Sequence, residues 1–280
     1  MLSLSIGPFA LAINHLVLLL ALGLATLVGW GTARHGGSKN PESALFNVFL
    51  IGLLAARVGF VIAYWPQYRQ EPLQIIDIRD GGFLLWVGVV AVILGGLWRG
   101  WRQPALRRPL GLGLGSGLLF WLLASLGLNM YQESAQMPQM ALRNEAGESV
   151  QLADFKGRPV VINMWATWCP PCRREMPVLQ KAQAEHGDVV FLFANQAETP
   201  EEVASFLNAQ NLKVHNVLFD SNSELAHNVG VRALPTTIFF SADGRLQNSH
   251  LGELSTASLK RYLDSFGSGD SSPLNSRTTP

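Results

Sequence analysis

Apolar positions crowd into long unbroken stretches over the first 130 residues and thereafter break into short runs interleaved with polar ones. A helix needs about 20 apolar residues to cross the hydrocarbon core of a bilayer. Four stretches approach that length, at about 9–30, 45–65, 83–98 and 112–130, the third being the shortest. Trp30, Trp65 and Trp98 stand at three of their ends, where indole rings suit the interface. The pattern predicts an α-helical membrane domain of about four transmembrane helices over residues 1–130. A cleaved signal peptide competes for the first stretch. Such a peptide needs a basic segment ahead of its apolar core, and no Lys or Arg precedes Arg34, so a retained helix is expected.

Residues 131–147 read as a polar linker, followed by alternating strand and helix signals. The stretch 158–166 carries the buried-strand run Val160-Val161-Ile162-Asn163-Met164-Trp165, 170–184 reads as a helix, and 189–195 as a second apolar strand. The helix at 200–208 has Glu201 and Glu202 in its first turn, where the helix dipole favours them. Residues 236–240 form a β-rich run between Pro235 and the turn signal Ala242-Asp243-Gly244, and 246–251 can return as a hairpin. An amphipathic helix over 256–266 aligns Leu259, Tyr262 and Leu263 on one face. The expected soluble domain is α/β over 148–267, with a Ser-, Gly- and Pro-rich disordered tail at 268–280.

Charge refines this organisation. The net charge of +1 gives no reason to expect a nucleic-acid partner. The loop after the first stretch holds Arg34 and Lys39, and the loop after the third holds Arg99, Arg102, Arg107 and Arg108. The loop between the second and third has only Arg69 and Arg79, beside Glu71, Asp77 and Asp80. Basic short loops stay in the cytoplasm. This predicts a multi-pass protein of a bacterial inner membrane, with both termini and the soluble domain on the periplasmic side and the lipid bilayer as a partner. His15 and Arg57 fall inside the apolar stretches; a polar group there marks a lipid-headgroup or catalytic site, or else pairs within the bundle or snorkels, and the structural role is expected for both.

The whole chain has two cysteines, Cys169 and Cys172, too few for a disulfide scaffold. A zinc site needs two further ligands at usable spacing, and neither another Cys nor a nearby His exists. A redox pair is left. Strand, Cys-x-x-Cys, helix is the order of a thioredoxin-like domain. Cys169 should sit at the N-terminus of the following helix, where unpaired N–H groups and the dipole favour a thiolate. Pro170 and Pro171 are tolerated in a first turn. Cys172 lies one turn on, so Cys169 is the exposed nucleophile and Cys172 the buried resolving thiol, and exchange runs through a mixed disulfide. No cofactor is expected, and the scattered His186, His215, His227 and His250 are assigned no role.

The run Trp165-Ala166-Thr167-Trp168-Cys169-Pro170-Pro171-Cys172, with Leu234-Pro235-Thr236-Thr237 later, resembles the TlpA/ResA branch of thiol–disulfide oxidoreductases over about 140–267. That resemblance implies a periplasmic reductase of protein disulfides, with cytochrome c maturation among the family's tasks. It implies protein thiols and disulfides as substrates and a membrane thiol carrier as electron donor. Glu175 matches the family's acidic residue three positions after the second cysteine, which implies a part in moving a proton at Cys172; an exposed helix acid is the competing reading. Thioredoxins carry a buried Asp where this chain has Asn163. Pro235 resembles the superfamily's cis-proline, so that the backbone of Leu234 can pair with an extended partner, although Ala233 stands where Gly is common. Trp168 is expected on the docking surface and Trp165 in the core. Pro177 should kink the helix.

A second resemblance covers about residues 5–95. Ser5-Ile6-Gly7-Pro8-Phe9-Ala10-Leu11, Ala56-Arg57-Val58-Gly59-Phe60 with Tyr64, and Asp80-Gly81-Gly82-Phe83 look like prolipoprotein diacylglyceryl transferases. Where that family has a His-Gly pair this chain has Trp86-Val87, and its later arginine-bearing segments have no counterpart. The membrane domain therefore reads as a degenerate relative. Disulfide oxidation or isomerisation, lipid transfer with a redox appendage, and a partner-recruiting membrane module with a redox sensor are the alternatives to the reductase.

Overall fold

The computed structural model describes residues 3–6, 9–36, 39–69 and 72–269. They fall into two compact units, one of Ser3–Ile78 and Gly82–Tyr131, the other of the chain from Gln132 together with Arg79–Gly81.

The first unit opens with a hairpin, β1 (Ser3–Ile6) against β2 (Phe9–Ala12), so helix α1 (Ile13–His35) starts at Ile13, not at Phe9. There follow α2 (Glu42–Ala63), the short α3 (Trp65–Tyr68), α4 (Leu85–Arg102) and α5 (Arg107–Glu133). Three helical stretches, Ile13–His35, Glu42–Ala63 and Pro104–Gln132, are long and apolar enough to cross a membrane. α4 is not among them. It has 18 residues and closes on Trp98-Arg99-Gly100-Trp101-Arg102. Its apolar part, 85–97, spans about 20 Å at 1.5 Å per residue, against roughly 30 Å of hydrocarbon.

Small residues set the helix packing. α1 buries Val17, Ala21, Ala25, Gly29 and Ala33, a stripe at every fourth position. Gly113 and Gly117 of α5 lie on it: a Cβ at Gly113 would come within 2.7 Å of Ala25 O, and one at Gly117 within 2.9 Å of Ala21 O. Between α2 and α4, a Cβ at Gly88 would stand 3.0 Å from Gly52 O and 3.1 Å from Ala56 Cβ. Close backbone approach replaces the hydrophobic drive that lipid removes.

Arg57 is buried on α2 and spends its donors on the segment that leads to α4. Its Nε donates to Ile75 O (3.1 Å), Nη1 to Gly82 O (2.9 Å), and Nη2 to Gln74 O and Asp77 O (2.8 Å each). Its guanidinium lies 5.4 Å from the Tyr68 ring centroid. The structural role expected of Arg57 is thus a concrete one: it organises a loop. His15, in the first turn of α1, is exposed.

The second unit is a seven-stranded sheet with helices on its faces. Its strands are β3 (Ala141–Asn144), β4 (Ser149–Gln151), β5 (Val160–Trp165), β6 (Val190–Gln196), β7 (Val217–Asp220), β8 (Thr236–Phe240) and β9 (Leu246–Leu251), in spatial order β4-β3-β7-β6-β5-β8-β9. β5 pairs parallel to β6, which pairs parallel to β7; β8 and β9 run antiparallel. The helices are α6 (Pro170–Glu185), α7 (Pro200–Ala209), α8 (Glu224–Val229) and α9 (Thr256–Gly269). Thr199 caps α7 through a reciprocal capping box with Glu202. Part of the tail, 270–280, lies outside the described residues.

β5 shows how the sheet is cored. All six of its residues are buried. Their alternation sends Val160, Ile162 and Met164 to one face, with Leu192, Leu225 and Ile238. Val161 and Trp165 go to the other, with Met176 and Leu179 of α6 and Leu259 of α9. Asn163 has the same parity as Val161 and Trp165, so it points toward α6.

Three strands and a helix escaped the pattern. β3 and the buried Met137 lie in the stretch read as a linker, and β4, β7 and α8 are three to six residues long. Runs that short carry too little periodicity to stand out from loops.

Candidate active site

Cys169 and Cys172 form a disulfide where β5 gives way to α6, with their Cα atoms 5.3 Å apart. Cys169 is the N-cap of α6, in extended conformation, and its sulfur accepts the Cys172 backbone N–H at 3.3 Å. Pro170 and Pro171 fill the first helical positions, where a missing N–H has no partner to lose. Cys169 keeps 4% of its surface exposed and Cys172 none. Cys169, expected to be exposed, is thus buried as well, because β5, α6 and the core around them close over the disulfide. Trp168, immediately before it, is 67% exposed, whereas Trp165 is fully buried with its ring 5.8 Å from Phe206.

Glu175, one turn beyond Cys172 on α6, has no exposed surface. The alternative of an exposed helix acid is excluded. Its Oε1 accepts from Asn163 Nδ2 at 2.7 Å and its Oε2 from the Leu254 backbone N–H at 2.9 Å. The same Asn163 nitrogen donates to Thr237 Oγ1 at 3.0 Å. Burial pushes the Glu175 carboxyl up to about 8, against the pull of these two donors and with a further push from the charge on Glu253. Asn163, in the position of the thioredoxin Asp, is therefore a partner of the acid and not merely a substitute for it.

The Leu234–Pro235 bond is cis. β8 runs antiparallel to β5 with Thr236 opposite Met164, so Leu234 and Pro235 continue past the end of β5 from which Trp168 and Cys169 emerge. Pro235 O accepts from Gly252 N–H at 2.9 Å. Leu234 is half-buried and packs against the cluster that contains both cysteines. Pro177 lies inside α6. Among the described residues no group of three or more His, Cys, Asp or Glu could hold a metal ion.

A family model described as Redoxin matches residues 132–263. The thioredoxin-like protein YneN of Bacillus subtilis (strain 168) is 32% identical over 161 residues, covering 52% of this chain and 94% of its own. The chain belongs to the thioredoxin-like thiol–disulfide oxidoreductases. The thiol–disulfide oxidoreductase ResA of Bacillus cereus (strain ATCC 10987 / NRS 248) is 31% identical over 130 residues, 46% of this chain and 75% of its own. A secreted disulfide oxidoreductase of Mycobacterium tuberculosis of known structure is 25% identical, with a TM-score of 0.41 over 45% of this chain and 96% of its own. A second family model, described as Prolipoprotein diacylglyceryl transferase, matches residues 2–109.

This oxidoreductase is membrane-anchored, with a thioredoxin-like domain outside the cytoplasm. Reading along the chain missed one polar group at the neighbouring ends of β5 and β6. Glu198, just after β6, accepts from the backbone N–H and the hydroxyl of Thr167. Its signal was faint, a lone acid in a loop 29 residues from Cys169 in sequence.

Proposed function

We propose that this oxidoreductase reduces disulfides of extracytoplasmic proteins, cytochrome c precursors among them, with electrons from a membrane dithiol donor. The Cys169 thiolate attacks a partner disulfide, forms a mixed disulfide and releases one partner thiolate. The Cys172 thiolate then attacks the Cys169 sulfur, which frees the reduced partner and leaves the Cys169–Cys172 disulfide. The donor dithiol then reduces the Cys169–Cys172 disulfide by the same exchange and is itself left as a disulfide.

The buried Glu175 carries the choice of reduction. A low thiol pKa stabilises the reduced form and makes an oxidant. An acid sealed one turn from Cys172 works the other way, because the burial that keeps Glu175 protonated also disfavours a thiolate on the fully buried Cys172. Its value of about 8 also keeps it largely protonated near neutral pH. A protonated acid one turn from Cys172 can serve as its proton partner. Trp168, Leu234 and Pro235 serve as the docking face, a role supported by the exposed indole and by the antiparallel register that brings β8 to the end of β5.

The basic loops support an orientation with both termini outside. Arg34 and Lys39, and Arg99 to Arg108, share one side if α2 and α4 both cross the bilayer; α4, with an apolar part of about 20 Å, would do so only with local thinning of the bilayer or snorkelling of Arg99 and Arg102. The donors that Arg57 commits to backbone carbonyls favour an anchor over a lipid-transfer site. The reduction potential of the full chain tests the direction of electron flow. A value near about −270 mV is expected, and one near about −120 mV would assign an oxidant instead.

A further inference from the structure

Three groups, Thr167, Asn195 and Glu198, converge at the neighbouring ends of β5 and β6, with Thr167 two residues before Cys169 in sequence. Glu198 Oε2 accepts the Thr167 backbone N–H at 2.7 Å and Asn195 Nδ2, also at 2.7 Å. Glu198 Oε1 accepts the Thr167 hydroxyl. Asn195 is fully buried on β6, opposite Trp165 of β5, so it is a fixed post. Ala197, between them, takes a left-handed φ of 58°, rare for a residue with a Cβ. That turn sends the chain back so that the next side chain faces Thr167. Backbone held in such a conformation persists where the surroundings demand it.

The two sides of the site are held differently. Cys169 is fixed by its own helix, as the N-cap of α6. Thr167 precedes the exposed Trp168, and both its backbone N–H and its hydroxyl go to Glu198. We infer that Glu198 is a positioning residue that presents Trp168 to a protein partner, and so sets the preference for protein disulfides over small ones. The inference rests on the docking face proposed above, and it holds whichever way electrons run. Glu198 touches no reacting atom; it acts through Thr167.

The test compares full-length wild type, Glu198→Ala, Glu198→Gln and Thr167→Val with two disulfides, insulin and oxidised glutathione. Glu198→Ala should raise KM for insulin about tenfold, the loss expected when one ordered aromatic anchor is released. Its reaction with oxidised glutathione should change less than twofold. Glu198→Gln should restore most of the loss, because its carbonyl oxygen can accept both N–H groups and its amide can donate to Thr167 Oγ1. Thr167→Val, which keeps the backbone bond, should fall between.

A readout free of turnover accompanies these rates. The Trp168 contribution to fluorescence anisotropy, taken as the difference from Trp168→Phe in each background, should show a more mobile indole when Glu198 is Ala. Equal losses with both disulfides, a Gln variant as impaired as the Ala one, or an unchanged Trp168 anisotropy would each overturn the inference. If Glu198→Ala does not fold, Thr167→Val and Glu198→Gln carry the same comparison. Failure of the wild type itself to reduce insulin would strike the reductase reading, while the anisotropy would still decide the role of Glu198.

Discussion

Asn163 and Glu175 meet at 2.7 Å in a sealed part of the domain, the amide nitrogen of one on the carboxyl of the other. Twelve residues separate them along the chain. β-strand alternation turns Asn163 toward α6, and helical spacing sets Glu175 one turn past Cys172. A half-turn of the amide would present Asn163 Oδ1, which has no hydrogen-bond partner, to a protonated Glu175. The same pair can thus serve either protonation state of the acid.

The first prediction concerns pH. Glu175 has a folded value of about 8 against an ordinary 4.5, so the folded protein holds an extra proton between these limits. Stability is then greatest below about 4.5 for this group and falls as pH rises through about 8. The oxidised full-length protein should unfold at lower denaturant at pH 9 than at pH 5. Glu175→Gln should flatten that slope, and a wild-type slope of opposite sign between these limits would contradict the burial of the acid.

Asn163→Asp should change the titration of Glu175. Two carboxyls at that separation cannot both ionise readily and share a proton, so the last proton leaves at a higher pH than in the wild type. Infrared difference spectra of the protonated carboxyl across a pH series should show the signal persisting further into the alkaline range. A signal lost at the wild-type pH would mean that the two side chains do not meet.

The cysteines should divide their labour. Cys169→Ser should bring disulfide reduction down to the uncatalysed level. Cys172→Ser should leave Cys169 covalently joined to its partner, a product that non-reducing electrophoresis separates and mass spectrometry names. Trapping by Cys169→Ser instead would reverse the assignment of nucleophile and resolving thiol.

In the membrane unit, Gly113→Leu should push α5 away from the Ala25 carbonyl and cost about 1–3 kcal/mol, the usual range for overpacking. Thermal unfolding of the full chain in detergent measures it. The same change at Gly111, where a Cβ would meet nothing within 4 Å, is the control and should be close to neutral.

Arg57→Met should free the segment before α4. Each carbonyl left without its charged donor costs about 1–3 kcal/mol if it stays buried, so the loop should open to water instead. Limited proteolysis within 72–82 should be faster than in the wild type, with the disulfide exchange of Cys169 unchanged.

What could be read along the chain was whatever local chemistry sets. Unbroken apolar length marked four stretches, of which three are helices able to cross a membrane, the Val160–Trp165 run marked the central strand, and two sulfurs around Pro170-Pro171 marked a capped helix start. Each depends on neighbours within a turn or a strand. The short β3 and β7 were not legible, because their stability comes from partners such as Phe219 opposite Arg143 and not from their own pattern. The acidity of Glu175 was not legible either. Its raised value follows from burial, against the pull of the Leu254 N–H 79 residues away, and the sequence alone left an exposed helix acid as the competing reading. Glu198 shows the same limit: its carboxylate matters only because the β5–β6 pairing sets Asn195 beside Trp165 and brings Thr167 within reach. The kind of chemistry was local, written in Cys169 and Cys172. The buried acid and the hold on Thr167 came from tertiary contacts, because desolvation and distance are properties of what packs around a residue and not of what precedes it.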